Sequence, residues 1–396
     1  MKQPLKVIFM ETKTVEIILA RTQFVNLYND EHPFTLESGE TLSEVDVAFQ
    51  TYGELNGDGT NAILVCHALT GNAHAAGIID EEEVENSKPY EYLYKYNKMN
   101  LHKTGWWDSL IGPGKVFDTE KYFVVCSNFL GGCYGTTGPT SVNKKNGKQY
   151  RMDFPQYSVR DMVKVQKKLL DTIGVKELVS VAGGSLGGMQ ALEWAVMFPD
   201  FVKSVIPIAT AAQHSAWAIS FNTLARQIIF NDPGWQNGNY SEQPKGLSAA
   251  RIAAMISYRA PDDFNLKFGR ELNLKYKSLQ GTQFQIENYL LYQGEKLIRR
   301  FDTNTYLYIT NALDTHNVAA ERGTIEESLN KISAKCLNIG ITSDILYPPD
   351  EQKNIAALIK NAEYQEIDSP AGHDAFLIEF EQVSDFIADF FSKNGL

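Results

Sequence analysis

The chain has 396 residues, of which 43% are hydrophobic and 21% charged, and a net charge of −11. That length supports a large core with an inserted subdomain, and no run approaches the ~18 apolar residues of a membrane-spanning helix. The acidic balance, with no basic cluster that stands out beyond Lys144-Lys145 and Arg299-Arg300, argues against a nucleic-acid partner.

Residues 1–33 carry β-branched pieces but few turn signals and read as an N-terminal extension whose role the sequence leaves open. They lack the long apolar stretch of a signal peptide. The four cysteines form no Cys-x-x-Cys pair, which argues against a zinc or redox site. The expectation is a reduced, cytoplasmic protein without metal or cofactor. Val45, Val47, Phe49 and Thr51 alternate as in a half-buried strand. Residues 62–66, 122–126, 178–182, 202–209 and 337–341 are instead continuous apolar runs, the mark of strands covered on both faces in a parallel sheet. Helical patterns at 159–173 and 186–197 separate some of them, so the fold class expected is α/β, doubly wound.

From 211 to 333 the alternation stops. Helical patterns recur at 221–230, 247–258, 263–268, 285–301 and 305–313, so this stretch reads as a helical cap inserted between two parts of the core, 34–210 and 334–396. Phe376, Phe380, Val383, Phe386, Ile387 and Phe390 then form the apolar stripe of a last helix.

Between the run at 178–182 and the helix at 186–197 lies "GGSLGG" (183–188). Its glycines do not fit the i, i+2, i+5 dinucleotide fingerprint, and no Lys-Ser or Lys-Thr completes a Walker A loop. Gly183-x-Ser185-x-Gly187 does fit a nucleophile elbow, a strained strand-to-helix turn that exposes a serine. The bland alternative is a glycine-rich turn without chemistry. A serine hydroxyl needs a base, and in this architecture the partners follow in the order Ser, acid, His. Of seven histidines, only His214, His316 and His373 follow Ser185, and the first two fall in the cap. His373, in the loop before the last helix, is the expected base. Asp344, just past the run at 337–341, is the expected acid, with Asp350 as a rival. The oxyanion hole calls for the backbone N–H groups of Leu186 and of Leu69 in "CHALTGN", with Ala68 and Thr70 as alternatives to Leu69. His67 reads as a structural imidazole.

Longer stretches resemble the homoserine O-acetyltransferase family of the α/β-hydrolase superfamily: "YGELN" (52–56), "LVCHALTGNAH" (64–74), "WWDSLIGPGKVFDTEKYFVVCSNFLGGCYGTTGPTS" (106–141), "GGSLGGMQALEWA" (183–195), "NDPGW" (231–235), "YLLYQGEKLIRRFDTNTYL" (289–307) and "GITSDILYPP" (340–349). The likeness covers most of 34–396. The resemblance implies a ping-pong transfer of acetyl from acetyl-CoA to the hydroxyl of L-homoserine, on Ser185, His373 and Asp344, without metal or redox cofactor. It also implies that Arg226 and Asp374 hold the carboxylate and ammonium of the acceptor, and that the caps build a homodimer. Three alternatives stand beside it: transfer of succinyl or to serine, hydrolysis of an ester or thioester, and a non-catalytic binding protein.

Overall fold

Eight strands form one sheet in the computed structural model, which describes residues 18–273 and 284–396. They are β1 (Gln23–Asn26), β2 (Asp46–Tyr52), β3 (Ala62–Cys66), β4 (Phe123–Ser127), β5 (Leu178–Gly184), β6 (Ser204–Ile208), β7 (Lys335–Ile341) and β8 (Ala362–Ile367). The order across the sheet is β1-β2-β4-β3-β5-β6-β7-β8. Only β2 runs against its neighbours, and every pair from β4 to β8 is parallel.

The continuous apolar runs became the central strands, because both faces are covered. Leu64, Val125, Val181 and Val205 point into one core, with Met162, Leu169, Leu192 and Trp194. Ile63, Val65, Val124, Ala182 and Ile206 point into the other, with Val383, Ile387 and Phe390. Those partners lie on α3 (Val159–Thr172) and α4 (Leu186–Met197) on one side, and α12 (Phe380–Asn394) on the other. The α3 start is fixed by a capping box in which Ser158 and Asp161 satisfy each other's backbone amides, a device worth about 1 kcal/mol.

The alternation at 45–51 had suggested a strand with one wet face, but β2 is mostly buried on both. It lies between β1 and β4, and its polar Gln50 is sealed in by Tyr52 Oη at 2.7 Å and the Thr22 hydroxyl at 3.0 Å. Before β4 come α1 (Glu81–Asn86) and α2 (Glu91–Met99), and after β7 comes α11 (Pro349–Leu358). Of the N-terminal extension, β1 is an edge strand and residues 1–17 lie outside the described residues.

Between β6 and β7 run α5 (Ala216–Phe230), α6 (Lys245–Tyr258), α7 (Pro261–Phe268), α8 (Gln285–Ile298), α9 (Thr303–Asp314) and α10 (Ile325–Asn330). No sheet strand interrupts them among the described residues. Helix α6 packs on both α5 and α8. Helix α9 is buried over most of its length and is anchored to the core by the Tyr308 hydroxyl, which donates to Met152 O at 2.9 Å.

Candidate active site

Ser185 sits where β5 ends and α4 begins, with φ 58° and ψ −123°. A non-glycine residue holds such a conformation only where its surroundings over-determine it. Here they do. Its N–H donates to Ile208 O at 2.9 Å, and its carbonyl accepts from Gly188 N at 2.9 Å and the Thr210 hydroxyl at 2.8 Å. The glycines at 183 and 187 are required by close approach. A Cβ on Gly183 would stand 2.6 Å from Cys66 O, and one on Gly187 would collide with the same carbonyl. The strand β3 thus passes too near for any side chain.

His373 lies in a turn, Gly372–Leu377, just before α12, and Asp344 follows β7. His373 Nδ1 is 2.7 Å from Asp344 Oδ2. The other carboxylate oxygen accepts from Leu346 N at 2.8 Å and Tyr347 N at 3.0 Å. Asp344 therefore orients the imidazole while its own position is fixed by backbone, and Nε2 is left to act on a substrate. Burial pushes the imidazole down, but the charge and hydrogen bond of Asp344 and the charge of Asp374 outweigh it and hold its pKa above the ordinary value. The rival acid, Asp350, sits in the first turn of α11 with its side chain 94% exposed. It is not part of the site.

Ser185 and His373 line one cavity of about 330 Å3, together with Leu69 and Asp374. Leu69 follows β3, and Leu186 is the first residue of α4. Neither amide donates a backbone hydrogen bond among the described residues, and the first N–H groups of a helix have no partner within it. Both are available to an oxyanion. The loop carrying Leu69 is braced from the cap, since Arg300 Nη1 donates to Thr70 O at 2.9 Å and also to the Tyr134 hydroxyl. His67 is buried, stacked on Phe129 at 4.4 Å, and pushed down to about 4 by that burial.

The resemblance implied a cation of the acceptor site at Arg226. Arg226, on α5, is absent from the cavity wall. Its Nη2 pairs with Asp314 Oδ2 at 2.6 Å, and it is held toward α9. Arg251, on α6, lines the cavity instead, with its guanidinium 5.1 Å from the Tyr258 ring centroid. It makes no ion pair within 4.0 Å among the described residues, yet its charge, with those of His373 and Arg259, pulls on the Asp374 carboxyl, which burial pushes up. The different placement of the two arginines has a simple cause. Arg226 and Arg251 both sit on amphipathic cap helices, and sequence alone does not tell which helix face meets the core. A signal was available in "ARIAAMISYRAP", where Arg251 and Tyr258 lie seven residues, about two turns, apart on one face. Lys296 and Arg300 of the 289–307 motif also line the cavity, so its rim is cationic although the chain is acidic.

Residues 61–380 match the family model of the alpha/beta hydrolase fold. A homoserine O-acetyltransferase of Deferribacter desulfuricans is 47% identical over 387 residues, 95% of this chain and 96% of that protein. One from Moorella thermoacetica is 48% identical over 90% of this chain and 93% of its own length. Among solved structures, homoserine O-acetyltransferase from Bacillus anthracis superposes with a TM-score of 0.83 at 29% identity, covering 94% of this chain and 98% of that one. Esterase E22 superposes with a TM-score of 0.82 at 28% identity, covering 94% and 99%.

Proposed function

The chain belongs to the homoserine O-acetyltransferases of the α/β-hydrolase fold, and we propose that Ser185, His373 and Asp344 carry the acetyl group from acetyl-CoA to L-homoserine in two steps. His373 Nε2 takes the Ser185 proton as Oγ attacks the thioester carbonyl. The resulting oxyanion rests on the amides of Leu69 and Leu186, an arrangement in which each donor is worth about 3 kcal/mol of barrier. The C–S bond breaks, His373 protonates the departing CoA thiolate, and acetyl-Ser185 remains. Homoserine then gives its hydroxyl proton to Nε2 and attacks the ester. Collapse of the second tetrahedral intermediate releases O-acetylhomoserine and returns the proton to Ser185. No atom changes oxidation state, so the steps call for no redox group.

A zwitterionic acceptor needs a cation and an anion beside the serine. Arg251 and Asp374 supply both in the wall shared with Ser185 and His373. Arg251 is the better match for the acceptor's carboxylate than Arg226, because it has no carboxylate partner within ion-pair distance among the described residues. A guanidinium also grips a carboxylate with two parallel hydrogen bonds. Lys296 and Arg300 place positive charge at the same cavity, suited to the phosphates of CoA.

The observation that carries the reading is the 2.7 Å Asp344–His373 bond in a cavity with Ser185, within a chain 47% identical to a homoserine O-acetyltransferase. The likeness to esterase E22 supports a second reading, hydrolysis. Thiol release from acetyl-CoA, measured with L-homoserine, with L-serine and with no acceptor, separates them. Continuous thiol turnover that requires homoserine, beyond a stoichiometric burst, and that vanishes in Ser185→Ala supports transfer, whereas equal turnover without acceptor makes the protein a thioesterase.

Two further readings go with the family. The outer faces of the cap expose Trp217 (52%), Leu224 (50%) and Tyr292 (60%), on α5 and α8, apolar area suited to a second cap in a homodimer. The four cysteines are free and buried, as in a protein of the reducing cytoplasm. Sedimentation of the intact chain tests the first.

A further inference from the structure

Ser185 separates two cavities. Besides the one that holds His373, a second of about 30 Å3 shares Leu69, Ser185 and Tyr258 with it and contains neither His373 nor Asp374. Its far wall comes from the cap and from the loop after β7, with Ala218 and Phe221 on α5, Leu313 on α9, and Leu346.

We propose that this smaller cavity houses the methyl end of the acyl group on Ser185, and that Ala218, Phe221 and Leu346 set the acyl length the enzyme accepts. The inference rests on the acetyl-transfer reading above.

The argument is geometric. The tetrahedral carbon on Ser185 Oγ has three other substituents. Its oxyanion must face the amides of Leu69 and Leu186. The thiol that leaves and the hydroxyl that enters must both reach His373 Nε2, so they use the larger cavity. The remaining substituent, the acyl chain, has to point away from His373 and still start at Ser185 and Leu69. The smaller cavity satisfies that condition. About 30 Å3 accommodates two or three water-sized groups, enough for a methyl and too little for a chain of several atoms.

The walls are also preset. His214 and Asn222 form the polar side of the chamber, and both are engaged by Asp314 Oδ1, at 3.1 and 2.8 Å. The other nitrogen of His214 meets the Tyr347 hydroxyl at 3.0 Å. No Lys or Arg lines the chamber, so the terminal carboxylate of a succinyl group would be buried there without a partner, which is costly.

The test is a series of acetyl-, propionyl-, butyryl- and succinyl-CoA, each followed by the burst of thiol without acceptor and by turnover with homoserine. One methylene in a tight apolar site changes kcat/KM by about tenfold or more. Propionyl-CoA is expected to fall at least that far below acetyl-CoA, and butyryl- and succinyl-CoA further. Phe221→Ala is expected to raise the propionyl-to-acetyl ratio about fivefold or more, and Ala218→Val to lower it. A flat profile in the wild-type protein, with a normal acetyl burst, overturns the chamber and leaves the transferase reading intact. Succinyl-CoA turnover equal to that of acetyl-CoA also overturns it, and points to Arg226, whose Nη1 is buried without a partner, as the carboxylate's receptor. Absence of any acetyl burst, with homoserine-dependent turnover intact, by contrast overturns the two-step acetyl-serine route on which the chamber rests.

Discussion

Arg226 Nη2 stands 2.6 Å from Asp314 Oδ2 and ties helix α5 to α9, with His214 and Asn222 on the other oxygen of the same carboxylate. This makes Arg226 part of the cap's framework. Arg226→Ala leaves a half-buried acid with only His214 and Asn222 and is expected to cost about 1 kcal/mol of unfolding free energy, read from denaturant midpoints, while the homoserine KM of the folded enzyme stays near wild type. Burial raises the Asp314 carboxyl, but its bonds to His214, Asn222 and Arg226 prevail and hold it below the ordinary value. The stabilisation is therefore present above the unfolded aspartate pKa, about 4, and is lost as pH falls through the lower folded value. The variant should show a weaker stability loss over that acid range.

Arg251 should behave in the opposite way. Arg251→Lys keeps the charge but loses the bidentate fork, so the homoserine KM is expected to rise about tenfold or more. The acetyl burst without acceptor should stay within about twofold, since that half-reaction does not use the acceptor's carboxylate. A burst that collapses together with the homoserine KM would instead show that Arg251 serves the donor or the fold.

The pH profile of the burst reports His373. A base must be neutral, so the rate rises with pH, with a midpoint above the 6.5 of a free imidazole. Burial opposes that elevation, and Asp344 and Asp374 produce it. Asp374→Asn is expected to move the midpoint to lower pH. Asp344→Asn should move it further and also cut the rate by about 10⁴, because the imidazole loses the partner that fixes its tautomer. An unmoved midpoint in both variants would show that another group limits the profile.

Gly187→Ala tests the elbow without touching the reacting atoms. The added Cβ meets the Cys66 carbonyl, and backbone cannot rotate aside as a side chain can. Overpacking of this kind costs about 1–3 kcal/mol, and the shift falls on β3 and on the loop carrying Leu69. Loss of the acetyl burst is expected even in molecules that remain folded by circular dichroism.

The core was readable because its strands are buried on both faces, as the runs at 62–66 and 178–182 are. The pairing of Asp344 with His373 was legible because one follows the run at 337–341 and only the other, of the histidines after Ser185, follows the last core strands. Strand β2 was misjudged, since Gln50 looks solvent-facing until the Thr22 hydroxyl and Tyr52 enclose it. The helix at 349–358 went unread because Pro348 and Pro349 resemble a turn, although proline suits the first helical position. In the cap, helix positions were legible and helix faces were not. A pattern of period 3.6 says that a side is apolar, but when cap helices bury against each other and expose apolar residues as well, it does not say which arginine meets the serine.

The cap is, topologically, a single connection between β6 and its parallel neighbour β7, a crossing for which a dozen residues suffice. It also lies between the nucleophile and its acid and base along the chain. A cut inside it would therefore yield one fragment bearing Ser185 and another bearing Asp344 and His373, with the β6–β7 pairing as the seam. The enzyme is in this sense built as two complementary pieces, and recovery of acetyl transfer on mixing them would measure how well that seam closes by itself.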